Sequence, residues 1–538
     1  MKKIIALFLS LAMAVTLFTG CGNSTGSSAK AISATIGSEP KTLDPSLNNA
    51  LDGGTYINCA FEGLTTYDKE SKIVPGVAEK WDVSADGTVY TFHLRKDAKW
   101  SDGKDLTAQD FVYSWQRTID PATAADYAYY LYFVKNGEAI NGGNAAIDTL
   151  GVKAIDEKTL EVTLEAAIPF FTEITAFPTL VPLREDIVSA NPDKWSLDAK
   201  TYIGNGPYVL ASWEHDSKIT FEKNANYWGK DSIVADKLEW RLMSDENAIL
   251  GAFKNGQVSL ARAIPTEEYT AEKEAGTLQI FPQLGTYYLD LLNNKAPFDN
   301  AKVRRAVSLA IDRNYIVEKV TKGGQTPASA YVPYGIGDVS LSPDFRTTGG
   351  DFYSVKPEDF EKNVAEAKKL LAEAGYPDGK GFPKVTFGIN TGGNHQPIAE
   401  AIQQMLKTNL GIDCEIQAQE WNVFQQSRKD GVFNINRNGW IGDYMDPSTF
   451  LDMFTSNNGQ NNSKYNNPAY DDAIKAARIE TDATKRMQLF HDAEKLLMDD
   501  MGIVPIYFYT DPIEISKDLQ NYVVTPLGFI YLQWASLK

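Results

Sequence analysis

Apolar residues recur along this chain with two periods, and the switch between them marks its elements. Val303, Ala306, Val307, Ala310 and Ile311 share one face at helical spacing, behind Asp299 and Asn300, which can cap the first turn. Val364, Ala367, Leu370, Leu371 and Ala374 repeat the pattern and stop at Gly375, with Pro377 beyond. A third helix is predicted from Asp482 through Met487, Phe490 and Leu497. Elsewhere the period is two: Tyr90, Phe92 and Leu94; Leu160, Val162 and Leu164; Ile219 and Phe221; Val385, Phe387 and Ile389. Strands mixed with long helices along the whole length imply α/β or α+β lobes. No internal repeat of the solenoid kind is visible.

Length and composition narrow the class. At 538 residues the chain exceeds the roughly 250–300 at which a single core stops growing, so two or three domains are expected. With 43% hydrophobic and 11% aromatic residues it can build large packed cores. A net charge of -18 excludes a nucleic-acid binder, which needs basic faces to displace counterions. The negative charge is spread without a long acidic run and reads as solubility.

The N-terminus carries an address. Lys2 and Lys3 precede an apolar run over 4–18 that is short for a bilayer span and reads as a signal-peptide core. It ends in "LFTGC", with Gly20 immediately before Cys21, and resembles the lipobox of bacterial lipoproteins. Phe18 departs from the smaller aliphatic residue usual there. On that reading 1–20 is a signal peptide, Cys21 is acylated, and the Gly/Ser-rich 21–30 is a flexible tether. The plainer alternative is an ordinary signal peptide with an incidental cysteine. Cys59 and Cys414 lie in apolar surroundings and read as buried thiols, with a disulfide between them left open.

A search for catalytic chemistry yields little. "GNSTG" at 22–26 has the spacing of a nucleophile elbow but sits in the tether rather than between a strand and a helix. Asp82, Ser84, Asp86 and Gly87 begin like a calcium loop, yet the twelfth position is His93 and not a bidentate glutamate, so a hairpin turn is expected. The four histidines show no metal-ligand spacing. Neither an enzyme nor a cofactor is indicated. The abundance of 10 Trp, 26 Tyr and 25 Phe suits a body that catches a ligand.

One stretch, "VFNINRNGWIGDYMDPSTF" at 432–450, sets an arginine, a tryptophan and an aspartate where an alternating strand runs into a proline-containing turn. It belongs to the last of four blocks: "SDGKDLTAQDFVYSWQRTIDPATAADYAYYL", "GNGPYVLASWEHDSKITFEKNANYW", "YYLDLLNNKAPFDNAKVRRAVSLAIDR" and "QEWNVFQQSRKDGVFNINRNGWIGDYMDP". Together they resemble the oligopeptide-binding proteins of bacterial ABC importers, within the peptide/nickel-type family 5 of extracytoplasmic solute-binding proteins. The resemblance implies an α/β (α+β mixed), two-lobed periplasmic-binding-protein-like fold with a hinge. It also implies a first lobe over 31–288, with an extra subdomain near 65–185 and completed by 505–538, and a second lobe over 289–504. The chain would cross between lobes near 286–292 and 506–510, and a ligand between the lobes would hold them closed.

The resemblance also assigns the site. Asp443 would take the peptide's N-terminal ammonium, a cation that needs a fixed anion once it leaves water. Without the resemblance, Asp443 reads as a turn aspartate. The segment around Gly439 would pair with the peptide main chain as an added strand, with glycine allowing close approach. Arg437, Arg428 and His395 are implied for the carboxylate end. On residues alone they read as an ion-paired arginine, a solvated cation and a polar residue before a helix. A fourth basic position of the family is Thr321 here, with Lys322 beside it. Tyr127, Tyr288, Trp421, Trp440 and Tyr509 are implied as aromatic pocket walls, with polar contacts from Asn390 and backbone pairing near Leu51. The expected protein is a monomeric, lipid-anchored receptor on the extracytoplasmic face of the membrane. It would deliver oligopeptides to a permease whose partner ATPase supplies the energy. The alternatives are another solute (a cell-wall peptide, metal chelate or oligosaccharide) and a sensor of peptide signals.

Overall fold

The computed structural model describes residues 31–168, 170–339 and 343–538. The signal-peptide, Cys21 and tether expectations, and the "GNSTG" segment, lie outside the described residues.

The three periodic segments fold as helices with the caps their flanks provide. Asn300 accepts from the backbone N–H of Lys302 at the head of Ala301–Leu309, and Asp482 accepts from that of Lys485 at the head of Ala483–Asp499. Phe360–Glu373 ends just before Gly375, whose φ of 97° suits a residue without Cβ. The alternating segments form the strands Val89–Leu94, Thr159–Thr163, Lys218–Lys223 and Val385–Asn390. Asp86 makes a hairpin and not an ion site: its Oδ1 accepts from Thr88 N–H between the antiparallel strands Ala78–Val83 and Val89–Leu94.

Among the described residues the largest sheet has 11 strands of mixed direction. Its middle is two long antiparallel strands, Leu278–Leu291 and Val504–Ile515. On one flank lie Ile435–Ile441, Val385–Asn390 and Cys414–Gln419, mutually parallel, with helix His395–Leu410 crossing between the last two. On the other flank lie Leu260–Ala261, Ile32–Gly37, Lys237–Leu242, Lys218–Lys223 and Tyr208–Glu214. A separate four-stranded antiparallel sheet joins Ala78–Val83, Val89–Leu94, Thr159–Thr163 and Val152–Asp156.

Burial divides the apolar side chains into two large cores, and the long strands pass between them. Ile513 and Ile515 belong to the first core with Ile32, Phe92 and Trp240; Val504 and Ile506 belong to the second with Leu289, Phe387 and Ile402. Pairing between the two strands slips between Pro282 and Thr286 and again between Tyr287 and Tyr288. Such irregularities bend a strand where it leaves one core for the other. Cys59 lies in the first core and Cys414 in the second, and both are free thiols, which answers the open disulfide question.

Candidate functional site

The parallel order of three strands decides where the polar residues meet. Side chains at or just beyond the carboxyl ends of parallel strands face the crevice that α/β sheets use for ligands. Asn390 closes one strand and His395 opens the helix that follows it; Trp421 begins the helix Trp421–Lys429 after the second; Trp440 is the penultimate residue of the third, and Asp443 follows two residues beyond its end.

Arg437 is the hub of one half. It is buried at 8% exposure, donates from Nε to Asn390 Oδ1, and lies 5.1 Å over the Trp421 ring and 5.6 Å over Phe424. No carboxylate pairs with it among the described residues, so the ion-pair alternative does not hold. Trp421 itself is 42% exposed, at the rim. His395 is half-buried, stacks on Tyr287 at 5.8 Å and shares a 3.4 Å hydrogen bond with its hydroxyl. Burial, reinforced by the Arg437 charge, pushes the imidazole down to about 3, so it is neutral at physiological pH.

Gly439 is held glycine by its surroundings. A Cβ there would come within 2.2 Å of the Tyr509 hydroxyl. Strand Ile435–Ile441 pairs with Val385–Asn390 only through Ile435 and Asn436, so beyond Asn436 its edge on that side has no strand partner among the described residues. The Gly439 N–H is instead taken by the side chain of Asn438. Trp440 is half-buried, and its indole N–H has no partner among the described residues.

Asp443 anchors the other half, and its neighbours come from across the molecule. Tyr129 donates to its Oδ2 at 2.5 Å, and Tyr130 donates to its backbone carbonyl at 3.2 Å. The next residue, Tyr444, stacks on Phe170 at 4.7 Å and 2°, and Glu173 accepts from the N–H of Met445. Tyr127 completes an aromatic group with Tyr129, Tyr130 and Phe177, at 5.2–5.7 Å from each. Burial pushes the Asp443 carboxyl up to about 7, opposed by the tyrosine hydrogen bonds, and no cation pairs with it among the described residues. A buried carboxyl raised in this way is a candidate site for a cationic group.

Three expected residues stand apart from these halves. Tyr288 is fully buried in the second core against Tyr331 and Phe454, because its strand alternates and turns Tyr287, not Tyr288, toward His395 and Tyr509. Arg428 is no solvated cation: it is buried, with Nη1 on Asn438, whose amide in turn donates to the buried Asp290. Leu51 packs against the second core, close to Gly528. At the departing family position, Thr321 is buried and bonds Gln325, while Lys322 is exposed. Tyr129, Tyr130, Tyr287 and Glu173 were not foreseen; the run "YAYYLY" was the available signal for the first two.

Two cores with a buried acid and a buried base, each without a charged partner among the described residues and flanked by aromatic rings, fit a two-lobed binding protein. The comparisons agree. Residues 72–462 match the family described as bacterial extracellular solute-binding proteins, family 5 Middle. The dipeptide-binding protein DppE of Bacillus subtilis is 37% identical over 498 residues, covering 92% of this chain and 90% of that protein. The structure of Haemophilus influenzae OppA in complex with RPPGFSPFR superposes with a TM-score of 0.84 at 35% identity, covering 95% of this chain and 99% of the other. The murein tripeptide binding protein MppA of Escherichia coli gives 0.84 at 35% identity over 95% and 99% of the chains, whereas MppA in its unliganded open form gives 0.73 at 36% over 95% and 98%. The chain belongs to family 5 of the bacterial extracellular solute-binding proteins, with the two-lobed fold of that family. It is a binding protein and not an enzyme.

Proposed function

We propose that this protein captures oligopeptides between its lobes and delivers them to an ABC permease. The observation that carries the reading is Asp443: a buried carboxylate with no cation partner among the described residues, just beyond a strand whose edge has no strand partner among them from Arg437 onward. Every free peptide brings one ammonium to satisfy it. The open edge would accept the peptide main chain as a further strand, which recognises backbone and tolerates many side chains. Arg437 is the counterpart for the terminal carboxylate, with His395 a neutral hydrogen-bonding group beside it. Tyr127, Trp421, Trp440 and Tyr509 supply pocket walls. The family and the named peptide-binding relatives support the same ligand class.

In this reading the mature chain is a monomer on the outer face of the membrane, tethered through lipid on Cys21. Cys21→Ala should release it or leave it unprocessed. The deciding experiment is calorimetric titration with a free oligopeptide and its N-acetylated form. Breaking a buried ion pair costs roughly 3–5 kcal/mol, so acetylation should weaken binding on the order of a hundredfold or more. Equal binding of both forms would make Asp443 a structural turn residue and overturn the assignment.

A further inference from the structure

The Asp443 carboxylate is met from the opposite side of the molecule. Tyr129 sits in the short 3-10 helix Ala128–Phe133 and packs on the first core, whereas Asp443 follows a strand of the sheet half that encloses the second. Their 2.5 Å hydrogen bond therefore spans the two parts. Tyr130, one residue on, donates to the Asp443 carbonyl and also favours the charged carboxyl, whereas Tyr129 makes the direct hydrogen bond to Oδ2.

We propose that Tyr129 is a specificity-determining residue of the ammonium site: its hydroxyl favours the charged form of Asp443 against burial, and so makes the site prefer a positively charged ligand terminus. This rests on the reading of Asp443 given above. A phenol donating to a carboxylate favours the charged form, and a hydrogen bond to a charged group is stronger than one between neutral groups. Without that donor, burial would drive the carboxyl toward its neutral form, which a blocked or uncharged ligand terminus satisfies as well as an ammonium does. Because the donor comes from the other lobe, the anion is reinforced where the lobes meet.

The remaining charges around the site leave Tyr129 this role. Arg486 is bound to Asp446 by two hydrogen bonds of 2.7 and 2.9 Å, and Arg478 pairs with Asp452 at 2.8 Å, so neither cation is free to neutralise Asp443. Tyr127 and Tyr444 face it as neutral phenols, their ionisation pushed well above the ordinary range by burial. Asp126 lies beyond Tyr127 and bonds Asn49. Glu173, raised to about 7 by burial, is the second titrating carboxyl and is tied to the Met445 N–H.

The test is a thermodynamic cycle: wild type and Tyr129→Phe, each titrated with a free and an N-acetylated oligopeptide from about pH 5 to 8. Phenylalanine keeps the ring in its aromatic group, and circular dichroism checks the fold. Tyr129→Phe should weaken the free peptide roughly tenfold and leave the acetylated one nearly unchanged, shrinking the discrimination between them. The loss of free-peptide affinity on acidification should begin about one pH unit higher in the variant. Asp126→Asn, a charge change at the exposed residue beyond Tyr127, should keep the wild-type discrimination. Equal losses for both peptides, or an unmoved pH profile, would overturn the role of Tyr129. If wild type itself fails to distinguish the peptides, the reading of Asp443 falls instead.

Discussion

Asp443 and Arg437 lie six positions apart, at 8% exposure each, and neither has an opposite charge beside it among the described residues. Their supports differ in origin. Arg437 is held by Asn390, Trp421 and Phe424, all from its own flank of the sheet. Asp443 is held by Tyr129 and Tyr130 from the opposite core, and its neighbour Tyr444 is counted in that core rather than its own. The cation is preorganised within one lobe; the anion is assembled where two lobes meet. In the proposed reading, a ligand would be received at the Arg437 side by a standing surface, whereas an ammonium at Asp443 would be enclosed where Tyr129 meets it.

The largest effect should come from breaking the assembled end. Asp443→Ala removes one partner of a buried charge pair, and titration should show free-peptide affinity falling by about a hundredfold to several thousandfold. The acetylated peptide should lose little, since it has no cation to strand.

Breaking the preorganised end should cost less. Arg437→Gln should weaken peptides with a free C-terminal carboxylate by roughly tenfold to a hundredfold, the worth of a hydrogen bond to a charged group. Amidated peptides should bind wild type and variant alike. Arg437→Lys should rescue only in part, because the planar stack on Trp421 is lost. If amidation changes nothing in wild type, Arg437 serves the fold and not the ligand.

Between the two ends, Gly439→Ala tests the strand that joins them. The added Cβ meets the Tyr509 hydroxyl at 2.2 Å, so thermal melting should report a loss of about 1–3 kcal/mol. Adding Tyr509→Phe, which deletes that oxygen, should recover part of it.

The smallest effect is a pH dependence of the empty protein. Asp443 is raised from 3.8 to about 7 by burial, so across that interval the folded protein keeps a proton that the unfolded chain has lost. Its contribution to stability therefore falls as pH rises from about 4 to about 7 and levels off above that. His395, lowered from 6.5 to about 3, acts with the opposite sign: stability is lost as pH falls through that window. Asp443→Asn removes the first term and leaves the second. The variant should melt above wild type near pH 8, and the gap should close as the pH approaches 5. A gap that does not change with pH would show that Asp443 already has a counter-charge.

What the sequence by itself determined was local and periodic. The helices Ala301–Leu309, Phe360–Glu373 and Ala483–Asp499 were legible because spacing and caps are encoded within a few residues, as was the Asp86 hairpin. The blocks that resemble a peptide-binding family were legible as well, since Arg437, Gly439, Trp440 and Asp443 lie in one short stretch. Tertiary structure decided what those residues touch. Tyr288 and Tyr287 are adjacent letters on opposite faces, and only the packed sheet shows that Tyr287 meets His395 while Tyr288 fills the core. Arg428 could be read as a solvated cation until Asn438 and Asp290 closed around it. Tyr129 and Asp443 are separated by 314 positions, and no periodicity reaches across such a gap. Burial and pairing of charge are properties of the assembled surface, so they arise only when both lobes are in place.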